Sequence, residues 1–536
     1  MAVPGPQVRA VPAGSAFGRT WARLGVAGAV AVCAGGAHLV FLLSDARLPP
    51  DRNRVYTDLP TLTTQLGSLS TVKSALYVAA TTTTGWYNLA LAMVIRLMGH
   101  ADLVFALANL GWLALLLCAT AVIAARIEGG GPGRESAWGA AAAVALTASA
   151  PLVIGYARMG WIHIPEAALA LAILAVWGED PGLTRRGSRV GIAVSGAALI
   201  ALRTSGLLWA VTLLPVLLSG WRVGRSGYFR RLAWTLSGWG GGLVPVLVVG
   251  QAYLEDKLAA RARYVAMVSP LGFQLQEQIG LPVLLLMGAG LLALLTRRAR
   301  FDGPAAILAV LGAWIVVPFA LTAVFGVGID NFPQLVPALA ILGGLGLAHL
   351  RWWLTALPLG LWGLILLSFW LPTAVADRVL GVLPGMPLGL RDDHANNVLR
   401  VYTTFGYREV GDLLAASCPD STVRHCRIAV DRGLFDAMPE EPGSWELFLL
   451  GEDRVALYSL ADGPPVSREV DALARFGCTG SDAAWVQRFP RALLNGEAVI
   501  QAQSLSLAWR RQLEGGCSYE WWTPGGAFLD ANAAPE

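Results

Sequence analysis

Charge is scarce in this sequence. Only 14% of its 536 residues are Asp, Glu, Lys or Arg, against 55% hydrophobic. A water-soluble chain of this size carries more charge, so one large soluble fold is excluded. Lysine is nearly missing. Lys73 and Lys257 are its only examples, and every other basic residue is Arg, which we read as genome composition rather than mechanism. The net charge of +4 is too modest to point to nucleic acid, and no nucleic-acid partner is expected. No Cys-x-x-Cys occurs among the six cysteines, which weighs against a zinc site. His425 beside Cys426 leaves zinc as the rival reading there. No inverted repeat stands out in the apolar region, and no repeat in the tail.

What fills the first 376 residues is a series of apolar runs, with Phe41-Leu42-Leu43, Leu115-Leu116-Leu117 and Leu284-Leu285-Leu286 inside them. A helix needs roughly 20 mostly apolar residues to cross a hydrocarbon core, and about eleven runs qualify as candidates. They are 22–44, 102–125, 136–155, 160–177, 189–203, 205–219, 232–253, 281–295, 304–325, 332–348 and 352–375. The expected fold is an all-α polytopic membrane bundle followed by a C-terminal α/β domain.

Arginine sets the orientation, because cytoplasmic loops are enriched in Lys and Arg. Alternate gaps hold Arg126 and Arg134; Arg185, Arg186 and Arg189; Arg222, Arg225, Arg230 and Arg231; Arg297, Arg298 and Arg300; and Arg351. With Arg9, Arg19 and Arg23, these place the N-terminus (1–21) in the cytoplasm, 22–376 in the membrane and 377–536 outside the inner membrane. The first run is long and lacks an evident cleavage site, so it reads as an anchor rather than a removed signal peptide. An outer loop occupies 45–101. Within it, Tyr87–Met98 reads as an interfacial helix or a twelfth, partial span. In the tail, Arg427–Val430 reads as a strand, Glu446–Leu450 and Arg454–Leu460 as a β-hairpin, and Ser467–Phe476 as an amphipathic helix.

Cys33 and Cys118 lie in apolar runs and read as small buried hydrophobes. Cys418, Cys426, Cys478 and Cys517 all lie in the tail. Four cysteines in an exported domain suggest two disulfides. Of the three possible pairings, Cys418–Cys426 and Cys478–Cys517 are favoured by proximity and order.

Chemistry must sit where polar residues interrupt the apolar runs. The first outer loop carries Asp45, Asp51 and Asp58 behind Pro49-Pro50. A carboxylate held at the membrane surface can act as general base toward an acceptor hydroxyl or amine. The plainer alternative is solvated charges, Asp51 and Asp58 paired with Arg52 and Arg54. Leu202-Arg203-Thr204-Ser205-Gly206 interrupts an apolar run of roughly thirty residues, too long for one upright span. It therefore breaks into two helices, with Ser205 able to cap the second. An intramembrane Arg is costly and marks function by default. Its natural partner at that depth is a lipid phosphate, and its plainer reading is snorkelling to headgroups. In Tyr156-Ala157-Arg158-Met159-Gly160-Trp161-Ile162-His163-Ile164-Pro165-Glu166, His163 and Glu166 are three apart and share a helix face. Arg158 is a structural partner for Glu166 there. Gly328–Pro337 reads as an outer turn entering an apolar helix.

This order of features resembles the GT-C superfamily of integral-membrane glycosyltransferases, nearest in pattern to lipid A aminoarabinose transferases and protein O-mannosyltransferases. Those have an acidic residue shortly before a Tyr in the first outer loop, as in Pro50-Asp51-Arg52-Asn53-Arg54-Val55-Tyr56. Their interfacial helix ends near a Gly, as in Arg96-Leu97-Met98-Gly99-His100. An Arg followed five residues later by Asp tops a span; Arg158 matches, and His163 stands where the Asp would be. Arg203 resembles their basic residue at a broken helix. Asn331-Phe332-Pro333-Gln334-Leu335-Val336-Pro337 is an imperfect version of their Arg-Tyr segment. Arg52 stands in place of a second acidic residue, Thr81–Gly85 in place of a proline pair, and Glu166 is positioned to replace the carboxylate missing at His163.

The resemblance implies transfer of a sugar from a polyprenyl-phosphate donor to a lipid, glycan or protein acceptor on the outer face, amid membrane lipids. It implies Asp51 as catalytic base, and Arg203, Arg158, His163, Glu166, Tyr56 and Asp58 as substrate-binding residues. Arg203 would neutralise the leaving phosphate. A divalent metal is compatible with the class, although acidic residues are few. The rival readings are a flippase for a lipid-linked sugar and a noncatalytic membrane-anchored assembly protein.

Overall fold

A computed structural model of the protein describes residues 69–81, 85–98, 101–127, 136–159, 162–203, 205–222, 226–244, 271–297, 305–325 and 332–370, strands within 426–523, and a few isolated residues besides. By internal contacts the chain divides into two compact units, one of 1–37, 111–156 and 163–388, the other of 38–110, 157–162 and 389–536.

The first unit is a helical bundle. Its helices are the main part of α3 (Ala101–Ile127), α4 (Ser136–Ser149), α5 (Pro151–Met159), α6 (His163–Glu179), α7 (Arg186–Leu202) and α8 (Ser205–Ser219). Residues 228–244 are helical throughout. There follow α9 (Leu271–Ile279), α10 (Leu281–Arg297), α11 (Ala305–Phe325), α12 (Leu335–Leu350) and α13 (Ala356–Trp370). Among the described residues three helices are long and apolar enough to cross a membrane: Leu107–Ile127, Ser205–Arg222 and Ala305–Ala323. Shorter apolar helices include Trp138–Ser149, Leu281–Thr296 and Leu335–Leu350. That differs from about eleven full spans, and local breaks explain part of the difference. The run 136–155 is divided between α4 and α5 at Ala150–Pro151, where proline begins the second helix. The run 160–177 becomes helical only at His163.

Helix α12 is central. Every residue from Leu335 to Ala348 is buried, as expected of a helix apolar on all sides. Its glycines permit that. A Cβ on Gly343 would strike Met287 of α10, one on Gly346 would strike Gly290, and one on Gly344 would meet Ala143 and Gly139 of α4. Small residues let the backbones approach closely, which is how helices associate when hydrocarbon surrounds them. Cys118, expected to be buried, is exposed on α3. Cys33 lies outside the described residues.

In the second unit, α1 (Leu69–Thr81) and α2 (Gly85–Met98) pack together. Helix α2 contains the helix expected over Tyr87–Met98. The tail forms a six-stranded mixed sheet in the order β2-β1-β3-β6-β5-β4. Its strands are β1 (Cys426–Val430), β2 (Val455–Ser459), β3 (Ala472–Cys478), β4 (Ala498–Ile500), β5 (Gln503–Gln512) and β6 (Cys517–Thr523). Strand β1 pairs in parallel with β2 and β3, while β3–β6, β6–β5 and β5–β4 are antiparallel.

One sequence expectation is corrected here. Ala472–Phe476 belongs to a strand and not to a helix over Ser467–Phe476. The pair Leu473↔Trp522 and the buried Trp521 stabilise that strand, and such cross-strand aromatic packing overrides local helix preference. Val455–Ser459 is a strand, as expected within Arg454–Leu460, and pairs in parallel with β1; Glu446–Leu450, the other arm of the expected hairpin, lies outside the described residues. The register sets Cys478 opposite Cys517. Cys418 and the side chains of Cys426, Cys478 and Cys517, on which the two expected disulfides fall, lie outside the described residues.

Candidate functional site

The site lies within the first unit, at the start of α6 and the junction of α7 and α8. Helix α6 begins at His163, with Pro165 in its first turn, where a missing N–H costs nothing. Glu166 is also in that first turn, where the helix dipole favours negative charge. Helix α7 stops at Leu202 because Arg203 takes extended backbone (φ −163°, ψ 154°). The Gly206 N–H donates to the Arg203 carbonyl (2.9 Å) and turns the chain into α8. Gly206 is required there, since a Cβ would strike the Leu199 carbonyl of α7. The break read from the sequence at Leu202–Gly206 is therefore real, and it delivers Arg203 and Ser205 beside α6.

Four side chains meet. Arg203 Nη1 lies 2.8 Å from His163 Nε2 and 3.0 Å from Nδ1. His163 Nδ1 lies 3.3 Å from Glu166 Oε2. Ser205 Oγ donates to Glu166 Oε1 at 2.7 Å. The donor inventory assigns the tautomer. A guanidinium only donates and a carboxylate only accepts, so Nε2 accepts from Arg203 and Nδ1–H is donated to Glu166. The short Nδ1 approach of Arg203 is then a contact rather than a second bond. A neutral imidazole bridges Arg203 and Glu166.

Burial makes this arrangement consequential. Glu166 is 0% exposed and His163 1%, while Arg203 is partly exposed. A buried carboxylate persists only when paired and hydrogen-bonded, and Glu166 is held on both oxygens. The cluster thus presents a partly open guanidinium on a fixed polar base.

Sequence reasoning placed His163 and Glu166 on one face and Arg203 at the break, and the structure brings all three together. It differs over Ser205, whose hydroxyl proton goes to Glu166 rather than serving only as a cap. Glu166 finds His163 and Ser205; Arg158 is on α5, and its side chain lies outside the described residues. Asp51, Tyr56 and Asp58 also lie outside them. Sequence reasoning missed two residues. Gln334, at the N-terminus of α12, is buried with neither amide atom partnered. Trp209, one turn along α8 from Ser205, is fully buried with Nε1 unpartnered. A lone polar residue between Pro333 and Leu335 was the available signal for the first. Among the described residues no three His, Cys, Asp or Glu side chains stand together as metal ligands.

No family model matches the chain, and no curated protein matches it in sequence. Two solved structures are similar to it. ArnT from Cupriavidus metallidurans bound to undecaprenyl phosphate aligns at 14% identity and a TM-score of 0.47, covering 95% of this chain and 98% of that one. ArnT from the same organism in the apo state aligns at 16% identity and a TM-score of 0.45, covering 97% and 100%.

Proposed function

We propose that the protein is a membrane glycosyltransferase that moves a sugar from a polyprenyl-phosphate donor to an acceptor on the outer face of the inner membrane. One observation carries this reading: Arg203, at a helix break amid apolar helices, is braced by the buried His163–Glu166–Ser205 network. Bracing of that kind fixes where the guanidinium lies. A preorganised cation aimed at developing negative charge is the largest contribution such a site can make. In this reading Arg203 holds the donor phosphate and stabilises its developing charge as it leaves the sugar's anomeric carbon. His163 and Glu166 position Arg203, and Ser205 locks Glu166.

Asp51 is the proposed base. It takes the proton from the acceptor hydroxyl or amine as that atom attacks, the anomeric C–O bond to phosphate breaks, and the configuration inverts in a single displacement. Arg158, Tyr56 and Asp58 are the proposed further contacts to substrate. The N-terminus is proposed to lie inside and the tail from about residue 377 outside, following the Arg distribution.

A radiolabelled polyprenyl-phosphate-sugar assay on membranes tests the reading. Label passing to an acceptor is the expected result. Label crossing the bilayer still attached to its lipid would make the protein a flippase, and neither outcome would leave a noncatalytic role. Asp51→Asn should abolish transfer while donor binding stays nearly intact; full activity in that variant removes Asp51 from the mechanism.

A further inference from the structure

Between Pro181 and Leu254 the sequence holds eight arginines and no acidic residue. Arg203 belongs to the site above, and Arg225 lies outside the described residues. The other six gather where three helix ends are tied together. Arg231 Nε donates to the Gly182 carbonyl just before α7 (3.2 Å), and Tyr228 donates to the Leu217 carbonyl in the last turn of α8. A Cβ on Gly220 would strike both the Pro181 carbonyl and the Tyr228 hydroxyl. The start of α7, the start of helix 228–244 and the turn Gly220–Arg222 therefore share one end of the bundle.

The two acids that precede this stretch are engaged elsewhere. Glu179 pairs with Arg126 (3.9 Å), and Asp180 accepts from Thr184 and from the Arg185 backbone N–H. Among the described residues, Arg185, Arg186, Arg222 and Arg230 are exposed and make no side-chain hydrogen bond or ion pair. Like charges gathered in this way repel one another, and an anion from outside the chain relieves that repulsion.

The helices beneath the arginines select the anion. Arg189 lies over the Trp234 ring (6.0 Å). A Cβ on Gly238 would meet Ala193, and one on Gly242 would meet Ala197. Partner numbers rise together, so α7 and helix 228–244 run parallel, and the constant offset sets Arg186 level with Arg231 and Arg185 level with Arg230. Arg186, Val190 and Val194, spaced by four, form one exposed stripe on α7. Arg230, Trp234, Ser237, Gly241 and Val244, spaced by four and three, form another on its neighbour. At about 100° per residue, one stripe is turned about a quarter-turn from the shared contact line in one sense, and the other by about as much in the opposite sense. In a parallel pair that puts both on the same side.

Each stripe opens with a guanidinium and continues without charge. The hydroxyl of Ser237 is spent on the Trp234 carbonyl (2.6 Å). A phospholipid has the same outline: a phosphate, then acyl chains running away from it. Arginine forks hold phosphate oxygens in pairs, and Trp sits at headgroup level. A free phosphate would use the arginines and leave both apolar stripes bare. A zwitterionic lipid brings a cation of its own.

We propose that this face binds an anionic phospholipid of the surrounding bilayer, its phosphate between Arg186 and Arg230 and its chains along Val190–Val194 and Trp234–Val244. The site lies at the far end of α7 from Arg203 and does not depend on the glycosyl-transfer reading.

The test places the full chain in nanodiscs of phosphatidylglycerol and phosphatidylcholine in equal parts and reads by native mass spectrometry which lipid stays bound on release. Phosphatidylglycerol should be retained in preference. Arg186→Gln and Arg230→Gln should each lower that preference about fivefold, with the melting temperature in phosphatidylcholine alone unchanged. Arg351→Gln removes the same charge from an exposed arginine elsewhere in the bundle and should leave the preference as it was. Inorganic phosphate should not displace the lipid. Absence of a preference in the wild type overturns the proposal, as does a preference that survives both Arg186→Gln and Arg230→Gln. An equal loss in Arg351→Gln would reduce the effect to general attraction between charges and overturn the site. Displacement by inorganic phosphate would assign the arginines to a soluble ligand and overturn it as well.

Discussion

Helix α6 is held by polar side chains at both ends, and the two ends are built differently. At its start, His163, Glu166, Arg203 and Ser205 bond to one another through side chains. Beyond its other end, polar side chains serve backbone. Asp180 accepts from Thr184 N–H (3.0 Å), Thr184 Oγ1–H (2.9 Å) and Arg185 N–H (2.7 Å). Arg126 Nε donates to the Gly178 carbonyl (2.9 Å) and Arg231 Nε to that of Gly182 (3.2 Å). Tyr228 donates to the Leu217 carbonyl. Helix ends leave four carbonyls or four N–H groups without partners, and this second set supplies them. Leu183 completes it, held at φ 51° with its side chain buried, a conformation costly to any residue but Gly. Side chains spent on backbone close a loop; side chains spent on each other can bring a charge to bear on something else. The first end is therefore the candidate for chemistry, and the second for stability.

Substitutions at the first end should change transfer most. Arg203→Ala removes the cation and is expected to lower turnover by more than about 100-fold and to weaken binding of undecaprenyl phosphate. The tail sheet and bundle should persist in circular dichroism. Unchanged turnover in that variant would erase the distinction between the two ends. Gly206→Ala comes next. Its Cβ meets the Leu199 carbonyl, which cannot rotate away, so α8 must move from α7. Such overpacking costs about 1–3 kcal/mol. It should shift Ser205 and Arg203 together, lowering both melting temperature and turnover, which kinetics and calorimetry on one preparation would separate from a pure stability loss.

The sequence made the first end legible because its signals are local. A run too long for one span had to break, and Arg203 marked the place. Spacing alone put His163 and Glu166 on one face. That Glu166 would bond Ser205 was not legible: the two are 39 residues apart in sequence, and their meeting depends on how α6 meets the α7–α8 junction. Gln334 was visible only as an odd polar residue, because lack of a partner is a property of the folded interior. Asp180 was passed over in a Glu-Asp-Pro-Gly gap where polar residues look merely solvated. In the tail, Ala472–Phe476 alternates weakly enough to suit helix or strand, and only β6, more than thirty residues away in sequence, decides it.

At the second end the expected effect is on stability alone. Asp180→Ala removes an acceptor from two backbone N–H groups and one hydroxyl, a loss of about 2 kcal/mol, with turnover unaltered once the protein is folded. Burial by itself raises the Asp180 pKa. The bonds from Arg185 and Thr184 outweigh it and hold the carboxyl below its ordinary value. A lowered folded-state pKa means the unfolded state binds the proton first, so this contribution is full above the ordinary carboxylate range. It is lost as pH falls through the lowered pKa. Thermal melts of wild type and Asp180→Ala should therefore converge toward acid pH. Melts that stay parallel would show that the carboxylate charge is not what closes the loop.

Tyr228→Phe should give the smallest effect and the sharpest control. Tyr228 is fully buried, and its hydroxyl bonds to Leu217, one of the carbonyls in the last turn of α8. Phenylalanine keeps the ring and its packing but strands that carbonyl, at about 1 kcal/mol. Burial pushes the Tyr228 pKa up, so the hydroxyl remains a donor throughout neutral pH. The unfolded chain loses its phenolic proton first, near the ordinary value of about 10. The bond's contribution is accordingly flat below that value and falls only as pH rises through the raised pKa. Wild type and Tyr228→Phe should differ by the same small interval in melting temperature from about pH 6 to pH 9, with equal turnover throughout. A turnover defect in Tyr228→Phe would mean that the two ends of α6 are coupled, and that the backbone-serving end helps to set the position of Arg203.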